Sequence, residues 1–499
     1  MPVRERNFIL LLGALSLFSC VRPAAPATGS TPAPACVPST CATLGVGCGQ
    51  ARDGCGGVLE CGACRSACTP ATCASAGASC GTVSDGCGGT LECGSCGEGQ
   101  GCGAPGLANV CVRSGAAPTV AWLRTVPERI AALATDPSGN VLLVANGTTG
   151  SALGKLDPDG NRLWWRPVTE GLWLTGLSVA PADGELLTWG VRSGDGIDGG
   201  GAVALRFDAE RESSTELGHC ESGCGVGPFF ADAKGNVVSR LGSDEESRIQ
   251  YVRADGHSWS ASSQNGPAGA QLPFELSKLA LSPTGDILVG AVTEGTGTAW
   301  GRSFGAKDGS NLAVLALAPD QTLRWAHELP VTRGTLLRLG AGADGTVVGL
   351  GWVSGELTWQ DTRIVTSGSG EPQGVLFSFG ADGTPRWVRS LPPSFALTRG
   401  TLAVSPSGNI AVAGTAWLDD KHTCAALNVA ELDAAGELLW SRVFTPSRCP
   451  GSVMHAGLAY FGEDLVLGGH GSGAVDFGTG VQGTADGQPW GFVLKLRRP

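Results

Sequence analysis

The chain has 499 residues, of which 42% are hydrophobic and 16% charged, so it can bury a sizeable core and is not a disordered chain overall. Its 79 glycines follow no three-residue period, which excludes a collagen-like chain and favours an all-β repeat fold with many tight turns. The net charge is −11 and there is no basic run, which argues against nucleic-acid binding because phosphates need Lys and Arg to neutralise them.

Residues 1–20 are typical of a targeting segment. Two arginines form a short basic region, and the apolar run that follows, Phe8 to Phe18, is too short to span a bilayer. The run ends in LFSC (17–20), which resembles the lipobox of bacterial lipoproteins, although Phe18 is bulkier than that pattern usually allows. The resemblance implies that Cys20 is lipidated and becomes the mature N-terminus. An ordinary signal peptide that is cut nearby, with Cys20 discarded, is the alternative.

Lipidation would place the protein in the cell envelope. Two or more acyl chains anchor a protein stably, whereas a single chain holds it only marginally. Val21 rather than Asp follows the cysteine, and by resemblance to the sorting rule of enteric bacteria this favours the outer membrane. We therefore expect an outer-membrane lipoprotein, attached through Cys20 and facing the periplasm or the surface. The segment 21–35 is rich in Pro, Ala, Thr and Ser and is predicted to be an extended tether.

Residues 36–64 and 68–96 are two copies of one cysteine-rich repeat. Every cysteine recurs 32 positions later, with the spacing C-x4-C-x6-C-x6-C-x5-C-x2-C. Each copy has almost no aliphatic residues, so we expect three disulfides within each to stabilise it in place of a core. The sequence does not choose among the possible pairings. Zinc is the alternative, but each copy has one C-x2-C pair, no second pair at finger spacing and no histidine, so no metal site is predicted.

Cysteine counting agrees with export. If Cys20 carries the lipid, an even number of the 19 cysteines remains, and an oxidising compartment would keep them paired. Outside the repeats we expect three local bridges: Cys102 with Cys111 in a linker at 97–118, Cys220 with Cys224, and Cys424 with Cys449. The predicted disulfide cysteines are Cys36, Cys41, Cys48, Cys55, Cys61, Cys64, Cys68, Cys73, Cys80, Cys87, Cys93, Cys96, Cys102, Cys111, Cys220, Cys224, Cys424 and Cys449.

From about residue 119 cysteines become rare and a degenerate repeat of roughly 45 to 63 residues begins, a period typical of solenoids and propellers. Each unit opens with two apolar segments around a glycine-containing turn, as in AVSPSGNIAVAGTA (403–416), which indicates a hairpin. There are seven such turn glycines, one for each unit: Gly139, Gly184, Gly235, Gly285, Gly345, Gly408 and Gly462.

A second hairpin follows in each unit. Its first strand runs into a turn of the form Asp-x-x-Gly and its second carries a tryptophan, as in AELDAAGELLWSRVF (430–444), although the unit around 203–207 lacks the tryptophan. Four strands in each unit are typical of a propeller blade. We expect the following tryptophans to pack between blades: Trp122, Trp164, Trp165, Trp259, Trp325, Trp387 and Trp440.

The two ends of the repeat region complement each other. The seventh unit stops after its third strand at Gly491–Pro499, and the region begins with TVAWLRTV (Thr119–Val126), which matches a missing tryptophan-bearing fourth strand. Pairing of these segments would leave no exposed sheet edge at the chain ends. The sequence therefore predicts an all-β fold: a seven-bladed β-propeller over 119–499, closed by its N-terminal strand and preceded by two small disulfide-rich repeats.

The pattern Asp-x-x-Gly-x-x-x-Trp resembles the tryptophan-docked blades of the pyrroloquinoline quinone dehydrogenases. It also resembles those of related non-catalytic bacterial propellers, including an outer-membrane assembly lipoprotein. The dehydrogenases have eight larger blades, a calcium site and adjacent cysteines, whereas this chain has seven smaller units and no adjacent cysteines, so we expect no cofactor. Segments 354–383 and 472–496 resemble the short bacterial β-propeller repeats of many exported proteins.

No catalytic constellation is evident. Residues 194–199 satisfy G-x-G-x-x-G but lie in a predicted blade loop, not at the start of a helix, and Asp195 and Asp198 are too few oxygen ligands for calcium. The six histidines show no metal-ligand spacing: His219, His257, His327, His422, His455 and His470.

We therefore expect a non-enzymatic binding scaffold that presents loops on one face of the propeller to a protein, peptidoglycan or polysaccharide. The alternative is an enzyme, a hydrolase or lyase, with a site at the propeller mouth. A polar cluster with perturbed pKa values at the central channel would favour the enzyme. A third hypothesis is a stalk and head in which the cysteine-rich repeats only hold the head away from the membrane.

Overall fold

The structure is a computed structural model, and every regular element among its described residues is a β-strand. It describes residues 40, 50–52, 55, 57–60, 71–73, 78–85, 89–97, 100–104, 107–113, 117–168, 171–181, 184–192, 201–208, 213–220, 225–242, 247–262, 274–293, 295–305, 310–360, 362–366, 372–392, 395, 399–419, 421–483 and 488–498. The chain divides into two compact units, residues 1–69 and 70–499. No described helix could cross a membrane. The predicted lipid site Cys20 and the tether at 21–35 lie outside the described residues.

The duplicated cysteine-rich sequence forms duplicated hairpins. In the first unit β1 (Gln50–Arg52) pairs with β2 (Val58–Glu60). In the second unit β3 (Thr82–Ser84) pairs with β4 (Thr90–Glu92), 32 positions later in the chain, as the repeat spacing requires. A third hairpin follows, made of β5 (Gln100–Ala104) and β6 (Leu107–Arg113).

The disulfides join the second repeat to the hairpin that follows it. One bridge stays inside the repeat, Cys73–Cys93, and two leave it, Cys80–Cys102 and Cys96–Cys111. The predicted Cys102–Cys111 bridge is therefore wrong, as is the expectation that all three bridges lie within this repeat.

The register of the third hairpin explains the correction. Cys102 and Cys111 lie directly opposite each other in β5 and β6, so both can reach the same neighbouring segment. A bridge between them would close only this short hairpin, whereas the two observed bridges fasten it to the repeat, which has no core of its own. Cys55 is also disulfide-bonded. The remaining cysteines of the repeats, Cys36, Cys41, Cys48, Cys61, Cys64, Cys68 and Cys87, lie outside the described residues.

After residue 118 the strands form antiparallel groups of four. Three groups are separate four-stranded sheets, each ordered as in the chain. The first contains β8 (Arg129–Thr135), β9 (Val141–Asn146), β10 (Ser151–Leu156) and β11 (Arg162–Pro167); the second β12 (Leu172–Val179), β13 (Leu186–Arg192), β14 (Ala202–Asp208) and β15 (Ser213–Cys220); the third β16 (Gly225–Ala231), β17 (Val237–Gly242), β18 (Ser247–Val252) and β19 (Ser258–Ser262).

An eight-stranded sheet comes next, and it contains two further groups joined by one long strand, β25. The N-terminal half of β25 pairs with β24 and its C-terminal half with β26, so one strand ends the fourth group and starts the fifth. The strands of this region are β20 (Phe274–Leu281), β21 (Ile287–Thr293), β22 (Thr296–Ala299), β23 (Arg302–Gly305), β24 (Ser310–Leu317), β25 (Leu323–Ala341), β26 (Val347–Trp359), β27 (Thr362–Val365), β28 (Gln373–Phe379) and β29 (Pro385–Ser390).

A second eight-stranded sheet contains the last two groups and includes β7 from the beginning of the region. As the sequence predicts, β7 pairs antiparallel with β38, with Trp122 opposite Lys495 and Val126 opposite Gly491. The strands are β7 (Thr119–Val126), β30 (Arg399–Val404), β31 (Ile410–Trp417), β32 (Cys424–Leu432), β33 (Leu438–Phe444), β34 (Gly451–Phe461), β35 (Asp464–Ser472), β36 (Val475–Asp476), β37 (Val481–Gln482) and β38 (Pro489–Arg497).

The first strands of the groups follow one another in a ring. Strand β8 lies beside β12, β12 beside β16, β16 beside β20, β20 beside the second half of β25, β25 beside β30, β30 beside β34, and β34 beside β8. Successive four-stranded antiparallel sheets around a common centre are a β-propeller. The core lies between neighbouring groups, so both faces of a sheet are buried. Strands such as β24 (SNLAVLAL) are therefore apolar almost throughout instead of alternating with polar residues.

The tryptophans of the last strands dock onto the next group. The indole Nε1 atoms of Trp122, Trp259, Trp325 and Trp387 donate hydrogen bonds to carbonyl oxygens in the turn before the last strand of the following group, at 2.8 to 3.1 Å. In three of these four turns a glycine lies against the ring, and Gln321 takes its place in the turn that Trp259 contacts. A Cβ on Gly383, for example, would lie 2.4 Å from the indole of Trp325. The Asp-x-x-Gly turn and the tryptophan are therefore two halves of one contact between groups.

Candidate functional site

The two ends of the propeller differ in the length of their connections. One end, which we call the turn end, carries the tight turns between first and second strands and between third and fourth strands. In these turns an aspartate such as Asp136 or Asp157 accepts hydrogen bonds from backbone amides two and four residues later. The opposite end, the loop end, carries the extra strands β22, β23, β27, β36 and β37 and the connection at 417–423. Loops held by a rigid scaffold are where binding residues concentrate.

An exposed aromatic residue stands at the loop end. Trp417 is 36% exposed and Leu418 50% exposed, and the Trp417 ring lies against His422 with the centroids 4.9 Å apart. Asp419 holds the connection by accepting hydrogen bonds from the backbone amides of Thr423 and Cys424 at 2.8 and 3.0 Å. Hydrogen bonds, foremost from the Thr423 side chain, keep the pKa of Asp419 below its ordinary value, so it stays charged.

A disulfide fastens the same connection. Cys424, at the start of β32, is bonded to Cys449 in the connection between β33 and β34. This is the local bridge that the sequence predicts. The apolar Trp417 and Leu418 are thus presented to solvent on a cross-linked loop, an arrangement that suits contact with a partner better than burial in a core.

Two of the first strands carry a basic residue at matching positions. Arg338 lies in the second half of β25 and is exposed, and Lys278 lies at the matching position of β20, the neighbouring first strand. Each residue follows an irregularity in the pairing of its strand, and such irregularities change the direction in which side chains point.

A cavity of about 380 Å³ opens at the turn end, where the first, second and last groups meet. Thr135, Asp136, Val179, Tyr460 and Phe461 contribute to its lining. Asp136 Oδ2 forms an ion pair with Lys155 Nζ at 2.9 Å, and the Tyr460 hydroxyl donates its hydrogen bond to Glu431 instead of into the cavity. The cavity therefore offers few uncommitted polar atoms.

Glu431 lies at the centre of a buried polar cluster, and the contacts around it identify the cluster as structural. It is 1% exposed and accepts hydrogen bonds from the Trp440 indole and, at 2.7 Å, from the Tyr460 hydroxyl, while Arg498 lies 2.7 Å away. Burial, with the charge of Glu431, raises the pKa of Tyr460 far above its ordinary value, so the phenol remains a donor. Trp440 lies in β33, in the group before the one that β7 and β38 close. Its indole donates a hydrogen bond to Glu431, whereas the other docked tryptophans donate to a turn carbonyl of the following group.

The other candidates from the sequence do not assemble into a metal or catalytic centre in the described part of the chain. His327 stacks on Phe379 and contacts the carbonyl of Gly383, and burial lowers its pKa. Three cysteine sulfurs lie close together, those of Cys80, Cys96 and Cys111, but all three are in disulfides and are not free thiolates. Residues 194–199, with Asp195 and Asp198, and Cys224 lie outside the described residues, and the side chains of His219 and Cys220 are not described.

No protein-family model and no curated protein sequence matches the chain. Solved structures do resemble its fold. An oligogalacturonate lyase in complex with manganese is 10% identical, with 77% of this chain and 94% of that one covered and a TM-score of 0.44. The Dos1 propeller is 10% identical, with coverage of 74% and 78% and a TM-score of 0.38. A puromycin hydrolase is 15% identical, with coverage of 72% and 50% and a TM-score of 0.39. Likeness at this level concerns the fold and carries no inference about activity.

Proposed function

We propose that the protein is an exported, membrane-anchored lipoprotein whose seven-bladed propeller is a non-enzymatic binding scaffold, and that its loop end holds the partner. The observation that carries this is the exposed pair Trp417 and Leu418, on a loop that a disulfide and Asp419 hold in place. Tryptophan at the centre of a contact is among the residues that contribute most to binding. The disulfides support export, because they persist in oxidising compartments.

The count of seven blades is supported by the ring of first strands. Seven groups result if β25 ends one group and starts the next, and if β7 supplies the last strand of the final group. The partner is a protein or an envelope polysaccharide such as peptidoglycan. An apolar, rigid patch with an exposed aromatic ring fits either the apolar surface of a protein or the face of a sugar ring.

Replacing Trp417 and Leu418 is expected to weaken binding without unfolding the propeller, because both side chains are partly exposed and neither belongs to a buried core cluster. The measurement is co-sedimentation of the purified protein with peptidoglycan sacculi and, separately, with solubilised outer-membrane proteins. The affinity of the Trp417→Ala/Leu418→Ser protein should be at least tenfold lower for whichever of the two fractions binds the unaltered protein.

The matched control is Leu163→Ser, which removes an equally exposed leucine from β11, away from the loop end. It should bind like the unaltered protein. Equal loss of binding in both variants, or undiminished binding in both, would contradict a partner site at the loop end.

The anchor has its own test. The mature N-terminus is expected to be an acylated Cys20, so mass spectrometry of the N-terminal peptide should show a mass increase equal to the attached lipid. The Cys20→Ser protein should move from the membrane fraction to the soluble fraction, since no other anchor is proposed. A free N-terminus downstream of residue 20, without an acyl group, would contradict the anchor and leave the loop-end proposal standing.

A further inference from the structure

The sulfur atoms of two disulfides lie together where the second cysteine-rich repeat meets the hairpin that follows it. The Sγ atoms of Cys80, Cys96 and Cys111 all lie within 4.8 Å of one another. They nevertheless belong to two different bridges, Cys80–Cys102 and Cys96–Cys111. Each bridge therefore has a sulfur atom of the other bridge beside it.

Backbone hydrogen bonds hold this cluster together independently of the bridges. Within the repeat, the Gly81 amide donates to the carbonyl of Gly94 at 2.8 Å, which places Cys80 beside the segment that carries Cys96. Toward the hairpin, the Cys80 amide donates to the carbonyl of Asn109 at 3.1 Å, and Asn109 Nδ2 donates to the carbonyl of Cys80 at 3.0 Å. The sulfurs therefore remain neighbours when one bridge opens.

The bridged cysteines differ in their access to solvent. Cys80 is 0% exposed, whereas Cys102 is exposed, so a thiol from outside meets the Cys80–Cys102 bridge at Cys102. Exposed disulfides are the ones that exchange most readily. Cys102 also lies directly opposite Cys111 in β5 and β6. Such partners have Cα atoms roughly 4.5–5.5 Å apart, which is within the range that a disulfide spans.

We propose that these four cysteines form a thiol-exchange site at which the two bridges interchange. The thiolate of an external thiol attacks Cys102 Sγ, forms a mixed disulfide and releases the Cys80 thiolate. That thiolate attacks Cys96 Sγ, forms the bridge Cys80–Cys96 and releases the Cys111 thiolate. The Cys111 thiolate then attacks Cys102 Sγ, forms the bridge Cys102–Cys111 and releases the external thiolate. Two disulfides are broken and two are formed, so nothing is oxidised or reduced overall.

The interchange alters how the repeat is attached to the propeller. Strand β6 of the hairpin lies beside β33, the last strand of the sixth group. In the structure two covalent bridges fasten the repeat to this hairpin. After the interchange each part is closed on itself, and the backbone and the hydrogen bonds of Asn109 join them. The site is thus a thiol-sensitive switch in the attachment, and it does not depend on what binds at the loop end.

The Cys102→Ser protein tests the site, because it leaves Cys80 with a free thiol beside the Cys96–Cys111 bridge. At mildly alkaline pH and without any added thiol, the free thiol should lie on Cys111 instead of Cys80 in roughly a tenth of the molecules or more. Labelling with N-ethylmaleimide, digestion with pepsin in acid and mass spectrometry locate it. Label on Cys80 alone would overturn the proposal.

The matched control is Cys424→Ser, which frees Cys449, a sulfur that is not part of the cluster. Its label should stay on Cys449. Label that spreads in Cys102→Ser to Cys73 or Cys93 would mean that the whole repeat exchanges, and this would also contradict a defined site.

The unaltered protein supplies a second measurement, which decides the matter if Cys102→Ser does not fold. A low concentration of reduced glutathione should convert part of the protein to the pairing Cys80–Cys96 and Cys102–Cys111, without a gain in free thiols. Peptic digestion without reduction distinguishes the two pairings by their cross-linked peptides. Survival of the original pairing alone, or free thiols without new cross-links, would overturn the exchange site and leave the loop-end proposal untouched.

Discussion

A chain that lacks residues 119–126 is expected to aggregate, or to unfold far below the melting temperature of the intact chain. Those residues are β7, the only partner of the outer edge of β38 in the described structure, and Trp122 within it is 9% exposed. Loss of a buried tryptophan alone typically costs roughly 3–5 kcal/mol. That is a large share of the ~5–15 kcal/mol by which a domain is usually stable. The unpaired edge of β38 would in addition invite association between chains.

The control truncation removes residues 21–69, most of the first compact unit. It should melt like the intact chain, because β7 and the ring are retained. Near-UV circular dichroism follows the melting, and size-exclusion chromatography reports aggregation. Similar behaviour of the two truncations would mean that β7 does not close the ring.

Ring closure was predictable because the end segments of the repeat region are incomplete in complementary ways. TVAWLRTV has the form of a last strand, such as RWVRSL or LLWSRV, without the three strands before it. The final unit has three strands without the fourth. A period that is broken at both ends indicates a partner for each end, and β7 and β38 are those partners.

The disulfide pairing was not predictable from spacing. Cys102 and Cys111 are near each other in the chain and face each other across β5 and β6, which favours a local bridge. Their actual partners, Cys80 and Cys96, are brought to them by folding of the second repeat. Sequence distance carries no information about such an approach. Cys424 and Cys449 were predictable because both flank connections at the same end of neighbouring groups.

The candidate binding residue at the loop end could not be found from the sequence. Trp417 belongs to no Asp-x-x-Gly turn, so the repeat pattern offered no role for it, and its exposure is visible only in the fold.

Gly383→Ala is expected to destabilise the propeller by about 3 kcal/mol or more. Gly383 has a φ of 83°, and a left-handed conformation costs a residue with a Cβ ~1–2 kcal/mol. The new methyl would also overlap the Trp325 indole, because its Cβ would lie 2.4 Å from the ring. Displacement of the indole removes its hydrogen bond to Ala381, a further ~1 kcal/mol, and part of its packing. Urea unfolding followed by tryptophan fluorescence measures the change.

The substitution Gly256→Ala separates the backbone cost of the left-handed conformation from the clash with the indole. It occupies the equivalent turn of the third group with a φ of 88°, and a Cβ there would meet nothing within 4 Å, because the preceding unit lacks the tryptophan. Gly256→Ala should therefore carry only the backbone cost of ~1–2 kcal/mol. In a Trp325→Ala background, Gly383→Ala should become as mild as Gly256→Ala, since the clash is gone. Equal effects of the two glycine substitutions in the unaltered background, or no relief from Trp325→Ala, would show that the docked indole does not determine the glycine of this turn.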